Sequence, residues 1–159
     1  AEVQLINEVG REQTLARALR PLLHNYDYVL IDCQPSLGLL TVNALACSHE
    51  VIMPLAAEFF SLRGVALLVD TVDKVKARIN PDLEIGGVLV TMFDGRTVHA
   101  REVVAMLVQR FGDQVFDTVI SRTVKFPETT VAGEPITSYA PASAAAEAYR
   151  ALAREVIAR

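Results

Sequence analysis

Three short apolar runs restrict this chain more than any other feature: residues 28–33 (YVLIDC), 49–55 (HEVIMPL) and 85–92 (IGGVLVTM). A strand with one wet face alternates apolar and polar residues. A run without alternation is buried on both faces, as in a parallel sheet covered by helices. The intervening segments carry helical spacing. Val65, Leu68, Val69, Val72 and Val75 share one face of a helix predicted over 61–79, with Asp73, Lys74, Lys76 and Arg78 solvated and Asn80, Pro81 and Asp82 ending it. Shorter helices are expected over 39–47 and 97–111, and an Ala-rich one over 141–157. Residues 2–23 read as a helix interrupted near Gly10, followed by a turn at 25–27. A fourth strand over 114–121 is less apolar and belongs near an edge. Residues 122–141, with three prolines, read as a long loop.

Strands alternating with helices give right-handed βαβ units, hence an α/β fold with a doubly wound, mostly parallel sheet and helices on both faces. The 159 residues form one domain in this reading, with no linker or repeat. A hydrophobic share of 52% and a charged share of 21% are those of a globular chain. The net charge of -4 makes a broad DNA-gripping surface a poor expectation, so DNA contact would rest on a few local basic residues. Cys33 and Cys47 have neither metal nor disulfide-scaffold spacing and suit a reducing cytoplasm. No apolar run reaches the about 18 residues of a membrane span. The first residues are polar rather than signal-like, and an initial Ala suggests a chain that begins mid-protein.

In such sheets ligands sit beyond the carboxyl ends of the strands. Asp32 closes the first run. It reads either as a Walker B carboxylate that holds Mg²⁺ through water or as a cap of the following turn. Glu58, after the second run, reads as an active-site or partner contact or as an exposed loop carboxylate. Arg96 follows the third run, and Arg122 and Lys125 follow the fourth. No G-x-x-x-x-G-K-[ST] or G-x-G-x-x-G occurs. His24, His49 and His99 lie on separate elements, and Ser36 and Ser61 lack a nucleophile elbow.

The string NYDYVLIDCQPSLGLLTVNALACS resembles the Walker B region of ParA/Soj partition ATPases. The likeness continues through VIMPLAAEFFSLRGVALLVDTV, GVLVTMFDGRT and TVISRTVKFPETTVAGEPI to the last helix. A relationship to MinD fits less well, since nothing here looks like a membrane-targeting amphipathic helix. The resemblance implies a P-loop NTPase-like sheet whose N-terminal strands are missing, this chain being the C-terminal portion of the ATPase domain. It implies ATP and Mg²⁺ as cofactors, with Asp32 as the Walker B residue and adenine held at Met92 and along Ser121, Arg122 and Thr123. It assigns Arg96 and Lys125 to nonspecific DNA binding. It implies an ATP-dependent homodimer, a ParB-like partner, nucleoid DNA as the substrate surface, a cytoplasmic and nucleoid-associated location, and no membrane contact.

Departures from the family pattern are Gln34 for a Pro, Ser121 for a Pro beside the adenine, Ala140 for an Asp and Ala145 for a Gly. The family's first part, roughly 90 to 110 residues with the phosphate-cradling lysines, is the largest departure. Without it the expectation is a chain that neither hydrolyses ATP nor binds it tightly, with open, association-prone sheet edges. The alternatives are a non-enzymatic interaction or regulatory module and a related ATPase that positions another cargo. A dehydrogenase is disfavoured by the absent glycine fingerprint.

Overall fold

The apolar runs at 49–55 and 85–92 form strands and pair with each other. In the computed structural model, which describes residues 9–34, 36–57 and 62–159 (the side chains of Leu62 and Arg63 excepted), they are β1 (Glu50–Ala56) and β2 (Glu84–Thr91). Glu84 N–H donates to the His49 carbonyl at 2.9 Å, and Ala57 N–H donates to the Thr91 carbonyl at 2.9 Å. Partner numbers rise together along both strands, so the pair is parallel. Glu58 lies outside the described residues.

The chain groups into two units, Ala1–Val51 with Ser61–Ile85, and Ile52–Phe60 with Gly86–Arg159. The first contains helices α1 (Thr14–Leu19), α2 (Leu39–Cys47) and α3 (Leu62–Arg78). Its core is Leu45, Val72, Val75 and Leu83, packed against Val42, Val51, Leu68, Ile79 and Ile85. The periodic face expected on α3 is thus the buried one. Two side-chain amides, the buried Asn43 and the half-buried Asn80, tie this unit together. Asn43 donates to the carbonyls of Arg11 (2.8 Å) and Leu39 (2.9 Å) and accepts from Leu15 N–H (3.1 Å). Asn80 donates to the carbonyls of Leu45 (2.9 Å) and Ser48 (2.7 Å).

Two expectations for this unit change. The helix expected over 2–23 is, where described, a set of short pieces: Arg11–Gln13 and Leu23–Asn25 are 3-10 turns flanking α1. Gly10 takes a left-handed φ of 67°, and Pro21 cannot donate the N–H that a further turn of α1 needs. The run at 28–33 is not a strand. Its backbone is irregular, and Tyr28, Val29 and Leu30 are exposed, Leu30 at 88%. Apolar residues alone do not make a strand. The backbone needs a ladder partner, and among the described residues this run has none.

The second unit adds α4 (Val98–Phe111), α5 (Lys125–Ala132), α6 (Ile136–Tyr139) and α7 (Ala144–Ala158). Residues 87–90 of β2 are all buried, as a strand covered on both faces requires. Leu89 packs with Phe116 and Ile120, and with Leu152 and Val156 of α7. Gly87 is obligatory here, since a Cβ would stand 2.2 Å from Phe116 Cε2. Thr97 caps α4 by accepting from Ala100 N–H (3.3 Å), and Ala100, Val103 and Leu107 bury one face of that helix. Ser143 caps α7 in the same way.

The strand expected over 114–121 survives as two parallel bridges, Val88 with Val115 and Phe93 with Ser121. The loop expected over 122–141 contains two helices. Pro127 sits in the first turn of α5, where a missing N–H costs nothing. Gly133 terminates α5 with a φ of 68°, and Pro135 caps α6. The prolines and glycine read as loop signals are helix-boundary signals.

Candidate functional site

At the end of β2 the chain enters a strained turn. Met92 has a φ of 53°, the one described non-glycine residue in the left-handed region. Strain of this kind persists only where surrounding structure enforces it, and it gathers at ligand sites. The enforcing bonds are main-chain: Phe93 N–H donates to the Ile120 carbonyl (3.2 Å), and Arg122 N–H donates to the Phe93 carbonyl (3.1 Å). They bring residues 92–96 beside residues 121–123.

The result is an open groove of about 860 Å³ within the second unit. Met92, Arg96, Ser121, Arg122 and Thr123 line it together with Phe93, Asp94 and Phe126. Every residue assigned to adenine by resemblance therefore borders one groove, within the about 300–1,000 Å³ range of small-molecule sites. Apolar rings and main-chain polar groups suit a flat, hydrogen-bonding base.

Arg96 is not a free cation. Its Nε donates to Asp94 Oδ1 (2.9 Å) and its Nη2 to Oδ2 (2.7 Å), while its backbone N–H also donates to Oδ1 (3.0 Å). These hydrogen bonds, with the nearby Arg122 charge, hold the Asp94 carboxyl down at about 2. The Arg96 side chain is nonetheless 91% exposed, so its remaining donors face water. Asp94 was not legible as a site residue: Asp before Gly is an ordinary turn signal. Lys125 begins α5 beside the groove without lining it, 4.0 Å from Glu128 in a loose ion pair.

Asp32 belongs to a different setting, in the first unit. It is exposed and borders a largely apolar cavity of about 440 Å³ between α1, α2 and residues 31–34. Among the described residues no group of three or more potential metal ligands occurs, and Asp32 is the one carboxylate among the described residues that line this cavity. A lone hard oxygen ligand fits Mg²⁺, which keeps its waters and takes further oxygens from phosphates. Burial and the neighbouring Asp32 charge push the Cys33 thiol up, which suits a structural rather than a reactive cysteine. Among the described residues no helix is long and apolar enough to cross a membrane.

The family model described as an AAA domain matches residues 1–85, more than half of the chain. The chromosome-partitioning ATPase Soj of Treponema pallidum is 47% identical over all 159 residues, which cover 63% of its length. The chain belongs to the ParA/Soj-type AAA-domain family. An uncharacterized protein of Mycobacterium tuberculosis is 72% identical over the whole chain, which covers 50% of that protein's length. Among solved structures, cobyrinic acid a,c-diamide synthase of Mycobacterium smegmatis with bound ATP analog and magnesium superposes with a TM-score of 0.84 at 38% identity. That match covers 99% of this chain and 58% of the synthase. The chain thus spans half to 63% of the length of these relatives. The P-loop NTPase-like α/β fold expected from the sequence is the fold this ParA/Soj-type chain has.

Proposed function

We propose that the chain supplies the base-holding groove and the Walker B carboxylate of an ATP-dependent partition protein. The observation that carries this reading is the gathering of Met92, Ser121, Arg122 and Thr123 around one groove, with Arg96 on its rim. In this reading the groove takes adenine, and Asp32 holds Mg²⁺ through water. The metal supplies charge neutralisation of the phosphates. The chain is the C-terminal portion of a single ATPase domain, and hydrolysis belongs to the longer protein that includes a phosphate-cradling loop. That protein dimerises on ATP and grips nucleoid DNA without sequence preference through Arg96 and Lys125. A ParB-like partner triggers hydrolysis and release, which gives a cytoplasmic, nucleoid-associated location. Dimerisation doubles the basic contacts and so offsets the net acidic charge.

A second reading, a nucleotide-driven amide synthase, draws on the 0.84 superposition with the synthase. One experiment separates the two. DNA binding by the full-length protein is measured at low salt with ATP and Mg²⁺, for wild type and Arg96→Glu. Under the partition reading the wild type binds and the variant loses at least about tenfold in affinity, since a phosphate contact becomes a repulsion. Equal affinity of the two proteins overturns the DNA role of Arg96. No DNA binding by the wild type favours the synthase reading.

A further inference from the structure

The expected strand over 114–121 is broken in its middle, and a side chain breaks it. Phe116 N–H donates to the Val88 carbonyl (3.0 Å), and Ile120 N–H donates to the Val90 carbonyl (2.9 Å). The donors are four residues apart (120 − 116) and the acceptors two (90 − 88). The segment therefore carries two extra residues against residues 88–90 of β2 and keeps one extra residue between the bridges Val88–Val115 and Phe93–Ser121, a bulge of the kind that re-aims chain beside functional sites.

The displaced amides have a partner. Asp117 N–H donates to Glu155 Oε1 (2.8 Å) and Thr118 N–H to Glu155 Oε2 (3.0 Å), so one carboxylate on α7 takes both. Arg159, one turn on, buttresses it. Its Nη2 donates to Glu155 Oε1 (3.1 Å) and to the Val115 carbonyl (3.1 Å). Its Nη1 donates to the carbonyls of Gly86 (3.1 Å) and Gln114 (3.3 Å). Its guanidinium lies 4.0 Å from the centroid of the buried Phe116 ring. Burial works to raise the Glu155 carboxyl, but the two amides and Arg159 outweigh it. The carboxyl lies below its usual range and is ionised at neutral pH.

The bulge decides which residue reaches the groove. In a regular ladder continued from the Val88–Val115 bridge, Thr118 N–H would donate to the Val90 carbonyl, and Ile120 rather than Ser121 would stand opposite Phe93, with its side chain on the other face. We propose that Glu155 is a positioning residue for nucleotide binding: by holding the bulge at Asp117 and Thr118 it sets the register that aims residues 121–123 at the groove. This rests on the reading of the groove as a base site.

The test uses the full-length protein. Dissociation constants for MgATP and MgGTP are measured for wild type, Glu155→Gln, Glu155→Ala and, as a control on the groove, Met92→Ala. Glu155→Ala is expected to weaken ATP binding about five- to tenfold and to narrow the ATP-over-GTP preference. Glu155→Gln, which keeps one acceptor oxygen, should fall between it and wild type. A lower melting temperature with unchanged ATP affinity and unchanged base preference would make Glu155 structural only and overturn the proposal. Should the Ala variant not fold, the Gln variant decides on the same readouts. Weakened binding in Met92→Ala with no effect at Glu155 removes this inference and keeps the base site. No effect in either variant, or no nucleotide binding by wild type, removes both.

Discussion

The segments that line the groove at the end of β2 and the Asp32 segment were equally conspicuous in the sequence, and the fold treats them differently. Residues 92–96 and 121–123 are held by main-chain bonds to one another, backed by a core of Leu89, Phe116 and Ile120. Residues 28–34 carry as strong an apolar run, yet among the described residues they have no ladder partner, and Leu30 is 88% exposed. The lesson is that a strand is a relation between two segments. β2 has a neighbour in β1 and bridges to Val115 and Ser121, whereas the first run has no ladder neighbour among the described residues. The groove at the end of β2 is held together by main-chain bonds, whereas Asp32 sits on a segment without a ladder partner among the described residues.

Three substitutions or titrations would break or sharpen this contrast. The largest effect is expected from Gly87→Ala. The added methyl meets the Phe116 ring at 2.2 Å, and that ring is pinned beneath Arg159. A loss of about 2–3 kcal/mol in a urea melt is expected. A loss under about 0.5 kcal/mol would show the groove's support to be softer than its packing implies. Leu30→Ser should do far less in this chain, under about 0.5 kcal/mol by the same melt, because the side chain covers nothing. A loss comparable to that of Gly87→Ala would mean the first run is packed after all, and the contrast would collapse.

The smallest effect concerns Asp94. Its carboxyl is held at about 2 instead of 3.8. A depressed folded-state value contributes stability that is fully present above 3.8 and is lost as pH falls from 3.8 towards 2. Nothing should therefore change at neutral pH. Carboxyl titration by NMR should show Asp94 near 2 in wild type and back towards 3.8 in Arg96→Ala. An unshifted Asp94 in wild type would mean that the Arg96 fork is not closed in solution.

Much of this was legible in advance. The helix over 39–47 has the expected bounds, and α3, α4, β1 and β2 lie within a residue or two of expectation, because each has its own period or its own stop signal. The helices inside 122–141 were missed because Pro127, Gly133 and Pro135 punctuate helices as well as loops. The broken strand at 117–118 was missed because its cause lies 38 residues away, at Glu155. The i,i+4 spacing of Glu155 and Arg159 was visible, but such a pair usually marks only a solvated helix face.

The sequence by itself determined the parallel α/β class, the residues at the strand ends and the family, since periodicity and motif are properties of short segments. Tertiary structure alone decided three things: that Arg96 is already bound to Asp94, that Ser121 and not Ile120 stands opposite Phe93, and that the first apolar run has no ladder among the described residues. Each depends on which distant donor finds which acceptor. Hydrogen bonds choose partners by geometry in the folded chain, and no local pattern records that choice.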